Sequence, residues 1–145
     1  MRIFLSTRTQ SCQSLEVSNN PHILLTNYLP HEDRVEMQER LFGDGHTPAE
    51  NEKFYRWVWH NKPHVCEECR RPLGSYSAVY VSHIMSRGAH PAIAHDPRNT
   101  NMLCPDCHAR WENGRRERMR IYESNQATIE RLEEEYYINQ KPHKR

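Results

Sequence analysis

Two Cys-x-x-Cys pairs, Cys66-Glu-Glu-Cys69 and Cys104-Pro-Asp-Cys107, are separated by 34 residues, and no other feature of this chain restricts its fold as much. Two intervening residues let the backbone turn around an ion, so each pair presents two sulfurs to one metal. Four thiolates complete a tetrahedral zinc shell with no open position, which makes the ion structural. Such a centre pins the start of a strand hairpin to the start of a helix. The insert is longer than in the shortest zinc ribbons, so further structure lies between the knuckles. The competing readings are a redox Cys-x-x-Cys and unrelated free cysteines, and two complete pairs disfavour both.

A staple matters because little else is available. Only 36% of the 145 residues are hydrophobic, enough for one domain with extensions and a small core. A fifth cysteine, Cys12, stands alone; an odd count with paired spacing reads as metal binding in a reducing compartment, not as a disulfide framework. The first residues are too briefly apolar for a signal peptide, and no apolar run approaches a membrane span. The expectation is a cytoplasmic protein without a membrane partner. The net charge is +1, but it is uneven: residues 62–120 carry 10 Lys/Arg against 6 Asp/Glu, while residues 1–61 carry 6 against 8. The positive excess falls on the segment that holds the cysteines, where a phosphate-binding protein wants it.

Arg2–Ser6 and His22–Leu29 read as short strands. Residues 31–42 read as a helix, with Glu32 and Asp33 early and Gly43 just past its end. Thr47-Pro48-Ala49-Glu50 is a helix start: Thr47 can accept from a free backbone N–H, Pro48 suits the first helical position and Glu50 completes a capping box. The helix then runs over roughly 48–61, stops before Pro63, and presents Phe54, Trp57 and Val58 to the zinc unit as ordinary core. Ser77–His83 alternates and reads as a strand, and Gly88–Arg98 as a loop. Beyond Cys107 the chain turns helical, bends at Asn113-Gly114, and continues with Met119, Tyr122, Ile129, Leu132 and Tyr136 on one face. Lys141–Arg145 reads as a disordered tail.

The insert contains Val81-Ser-His83-Ile84 and Asp96-Pro-Arg-Asn99, and His108 directly follows the fourth cysteine. Taken in order, Cys, Cys, His, Asn, Cys, Cys, His resembles the HNH, or ββα-metal, endonucleases that carry four-cysteine zinc knuckles, over about residues 63–115. The loop Arg87-Gly-Ala-His-Pro91 is also similar to phage recombination nucleases of the Rap type. The resemblance implies an α+β fold: a small ββα-metal core stapled by zinc and flanked by helices. We expect an extension of unknown role over 1–46, a nuclease core with the zinc site over 47–114 and a C-terminal helix with a basic tail over 115–145. The resemblance assigns the general base to His83, an orienting or metal-shell role to Asn99, and the catalytic divalent metal, Mg2+ or Mn2+ or a similar ion, to His108. The substrate it implies is DNA.

The chemistry agrees. Phosphodiester hydrolysis needs a water deprotonated near neutral pH and positive charge on the phosphate; His titrates nearest that pH, and a divalent ion supplies the charge. One departure is notable. Many relatives carry Asp or Glu just before the first His as a metal ligand, and here the residue is Ser82. Asn99, His90, His95 and Asp96 are the candidates for a second protein ligand. His22, His31, His46, His60, His64 and His143 read as surface or hydrogen-bonded residues. Arg110, Arg115, Arg116, Arg118 and Arg120 follow the motif, diluted by Glu112 and Glu117; they read either as a solvated helix face or, with Arg87 and Arg98, as contacts to the DNA backbone. The rivals to a nuclease are a non-catalytic zinc-ribbon module that binds nucleic acid and an interaction domain of a larger phage or bacterial complex.

Overall fold

The computed structural model describes residues 29–140. The expected strands at Arg2–Ser6 and within 22–28, Cys12, His22, His143 and the tail Lys141–Arg145 lie outside the described residues. The chain divides into two compact units between Met37 and Gln38. Among described residues the first contributes only the opening of helix α1, His31–Phe42, which begins with Glu32 and Asp33 in its first turn, where the helix dipole favours acids. Every residue of the site lies in the second unit.

The second unit is α+β. Helix α2 spans Pro48–Asn61 and has the capping box in full: Thr47 accepts from Glu50 N–H while the Glu50 carboxylate accepts from Thr47 N–H. The same carboxylate takes Gly45 N–H at 3.0 Å and sits where a Cβ at Gly43 would be, which, with φ of 96°, makes residue 43 a glycine position. Phe54 and Val58 are buried as expected, whereas Trp57 is half-buried against Phe42 and Trp59 is the buried tryptophan. Trp59 lies one position further round the helix and stacks on His64 and Tyr80 beneath the first zinc knuckle.

The strand expected over Ser77–His83 is shorter. Ala78–Tyr80 is a 3-10 turn capped by Ser77, and strand β1 is Val81–His83. It pairs antiparallel with β2, Thr100–Met102, in the register Val81↔Met102, Ser82↔Asn101, His83↔Thr100. Helix α3, Pro105–Asn113, leaves the second knuckle and ends at Gly114. After a 3-10 turn at Arg116–Arg118, helix α4 covers Tyr122–Glu133 and widens into a π turn, Glu134–Ile138. From the face expected there, Met119, Leu132 and Tyr136 are buried, and Tyr122 and Ile129 are half-buried.

So short a sheet is held by polar stitches. Between the first two cysteines, Glu67 accepts from Asn101 Nδ2 and Met102 N–H, while Glu68 accepts from the N–H groups of Arg120 and Ile121. Asn101 and Asn125 exchange side-chain amide bonds, both buried. The zinc knuckle is thereby tied to β2 and to the approach to α4 at once.

Candidate metal centre and active site

Sulfur atoms of Cys66, Cys69, Cys104 and Cys107 lie within 4.8 Å of one another. Cys69 and Cys104 stand 3.8 Å apart, too far for a disulfide and equal to the edge of about 3.8 Å that a tetrahedron of ~2.3 Å zinc–sulfur arms requires. The first knuckle closes locally: Cys66 N–H bonds Arg71 C=O, Arg70 N–H bonds Cys66 C=O, and Arg70 takes a left-handed φ of 70° to complete the turn. The thiols are unequal. Burial raises Cys66, but the backbone N–H groups of Cys69, Cys104 and Glu68 outweigh it and bring it to about 7; burial and neighbouring thiols push Cys107 up. Four converging thiols cannot all ionise without a cation, so the donor set and its geometry fit zinc.

A cleft of about 630 Å³ opens on the other side of the hairpin. His83 at the end of β1, His108 and Glu112 on α3, Tyr55 on α2, Arg87 in the loop after β1 and Arg116 beyond α3 all line it. Val81 and His83 face the cleft because they are two apart on a strand, and the intervening Ser82 is fully buried. The side chain at the position of the missing acid thus points away from the cleft.

The two histidines are held in defined tautomers. A carbonyl can only accept, so His83 Nε2 donates to Ala94 C=O at 2.8 Å and Nδ1 carries the lone pair. Burial, and secondarily the charge of Arg87, hold the His83 imidazole below its ordinary range, so it is neutral at neutral pH. By the same argument His108 Nδ1 donates to Val79 C=O at 2.7 Å, and its Nε2 stands 3.0 Å from the Glu112 carboxylate. Arg87 donates to Tyr55 OH at 2.7 Å, and Arg116 lies over the Trp111 ring at 4.1 Å while donating to Trp111 C=O.

Other expected site residues are placed elsewhere. Asn99 does not join the cleft: it is fully buried, accepting from Met85 N–H and donating to Met85 C=O. This pair of bonds fixes the backbone just after His83. Arg98 is not available to DNA, because its guanidinium is clamped by Asp96 and Glu135 and only 11% exposed. Asp96 is fully buried in that clamp, where it also accepts from Tyr136 OH; His95 is buried against Asn51, and His90 meets Tyr137. None of the four candidate second ligands therefore lines the cleft. Arg110 and Arg115 are exposed and are not among the residues that line it. Glu112 was legible only as a diluting charge, yet its spacing of four from His108 on a helix puts both on one face.

Residues 66–114 match the family model described as HNH endonuclease. The resemblance carried by the cysteine and histidine pattern holds over this segment, which contains all four clustered cysteines. The segment is thus similar to HNH endonucleases, which suggests nuclease activity and implies a nucleic-acid substrate, and its cysteine cluster could bind zinc. No curated protein and no solved structure matches the chain. Among the described residues, no helix is long and apolar enough to cross a membrane.

Proposed function

We propose that this chain is a metal-dependent endonuclease that hydrolyses DNA phosphodiester bonds, with His83 as the general base. The observation that carries the reading is the pairing of His83 and His108 in one open cleft, each ring anchored by a backbone carbonyl through one nitrogen. His83 Nδ1 takes the proton of the attacking water, and the Ala94 carbonyl steadies the imidazolium that results. His108 Nε2 holds the divalent ion, Mg2+ or Mn2+. Bound there, such an ion supplies positive charge to the phosphate and the leaving oxygen. Arg87 and Arg116 on the cleft wall, with the exposed Arg110 and Arg115, contact flanking phosphates. Asn99 is a positioning residue that acts through the Met85 backbone. The four-cysteine zinc keeps β1 and α3 in fixed relation, as catalysis by positioning requires. We assign the core to residues 47–114, with an extension over 1–46 and a C-terminal segment over 115–145.

The test is incubation of the full-length, zinc-loaded protein with supercoiled plasmid, with and without Mg2+ or Mn2+. Nicking that depends on the added ion and is lost in His83→Ala is the expected result. If His83→Ala nicks as fast as the parent, His83 is not the base; if the parent itself does not nick with either ion, the nuclease reading fails and a zinc-ribbon module that binds nucleic acid becomes the better account.

A further inference from the structure

The cleft holds one carboxylate that the motif does not explain. His108 Nδ1 donates to Val79 C=O at 2.7 Å, which turns its Nε2 into the cleft, 3.0 Å from the Glu112 carboxylate four residues on along the same helix face. The distance itself is informative. Two cis ligands of an octahedral ion with arms of ~2.1 Å stand about 3.0 Å apart. The side chain of Glu112 is 58% exposed and that of His108 16%, so an ion gripped by the pair would keep water and phosphate oxygens on its remaining positions, as Mg2+ does. Meanwhile Ser82, where an acid is usual, is buried and faces away from the cleft.

We propose that Glu112 is the second protein ligand of the catalytic divalent ion, gripping it together with His108 from one face of α3. This rests on the nuclease reading above and deepens it: the carboxylate absent at position 82 is supplied from the helix instead of the strand. The pair is rigid at one end, because α3 starts at the zinc knuckle and His108 is tied to Val79, and adjustable at the other, because Glu112 is held by nothing but the ring it faces among the hydrogen bonds of the site.

The test is calorimetric titration of the full-length, zinc-loaded protein with Mn2+, without DNA. The parent is expected to bind one Mn2+ beyond its zinc. Glu112→Gln, which keeps the shape and removes the charge, should weaken that binding at least ~10-fold, since even residues that only orient a metal ligand cost 10–100-fold. Glu117→Gln, which removes the same charge outside the cleft, should leave it unchanged. Glu112→His should move the preference from Mn2+ towards Ni2+, because imidazole suits the later metal. Zinc content and circular dichroism establish that each variant is folded. Should Glu112→Gln bind Mn2+ as tightly as a parent that nicks plasmid, Glu112 is only an ion-pair partner of His108 and the nuclease reading stands without it. If the parent neither binds Mn2+ nor nicks plasmid, both fall together.

Discussion

The two ends of one short hairpin are built by opposite rules. At the zinc end the four ligands come as two local pairs, three of the four cysteines are buried, and the geometry is closed. At the cleft end the side chains come from α2, β1, α3 and the loops beside them, and the walls stay open to solvent. A closed shell needs only that two knuckles meet, which spacing specifies. An open site depends on strand register, on tautomers set by distant carbonyls and on which face of α3 turns inward. The first can be read from sequence, and the second only in part.

This contrast is sharpest in the effect of removing ligands. Cys104→Ser, or chelation of the zinc, should unfold the second unit, since structural zinc contributes an apparent ~10–16 kcal/mol in zinc-finger peptides at neutral pH. Loss of circular dichroism in step with zinc release is the measurement. A variant that keeps its structure after losing zinc breaks the comparison, because the polar stitches of Glu67, Glu68 and Asn101 would then suffice.

Removing the base should do the reverse. His83→Ala should lower the cleavage rate by about 10²–10⁴-fold while zinc content and DNA binding are retained. Because burial holds the parent's imidazole below its ordinary range, His83 stays unprotonated as the pH falls through the usual histidine region. The acid limb of kcat/KM should therefore appear below pH ~6.5. An acid limb at or above that value would mean that the base is solvated and the cleft wetter than its walls imply.

Much of the scaffold was legible because local chemistry wrote it. Thr47, Pro48 and Glu50 specified where α2 begins, and the four cysteines specified the staple. What was missed came from tertiary override. Trp59 is buried in preference to Trp57 because the zinc knuckle brings His64 and Tyr80 to that side of the helix. Asn101 and Asn125 look like surface residues in the sequence, and only their mutual amide bonds make burial tolerable. Of the candidate site, the pattern pointed to His83 and His108, but Glu112 carried no signal beyond its spacing of four.

Between the two ends lies a histidine that belongs to neither. His95 donates from Nε2 to Asn51 Oδ1 and leaves Nδ1 buried without a partner. Burial, then the charges of His46 and His83, bring it down to about 4. A folded-state value below the unfolded one means that stability is full above pH ~6.5 and is lost as the pH falls towards about 4. His95→Gln keeps a donor for Asn51 and cannot titrate, so its melting temperature should fall less between pH 6.5 and 4.5, with zinc content followed in parallel. Equal slopes in parent and variant would assign acid sensitivity to the cysteines and return it to the zinc end.

The last comparison separates two arginines that look alike in the sequence. Arg87 is exposed on the cleft wall and donates to the Tyr55 hydroxyl, a partner it can exchange for a phosphate. Arg98 is held bidentately by Asp96 and again by Glu135, which raises its affinity for its proton still further and commits four of its five N–H donors. A phosphate contact releases about one counterion, so Arg87→Ala should weaken DNA binding at all sequences and reduce the salt slope by about 1. Arg98→Ala should leave that slope alone and instead lower the melting temperature, because the buried Asp96 carboxylate loses its partner, a loss of the kind that costs ~3–5 kcal/mol. Affinity for a short duplex measured across a salt series, beside thermal melts of both variants, resolves the two. A reduced slope in Arg98→Ala would mean that the clamp opens on DNA, and that α4 is part of the binding surface and not its support.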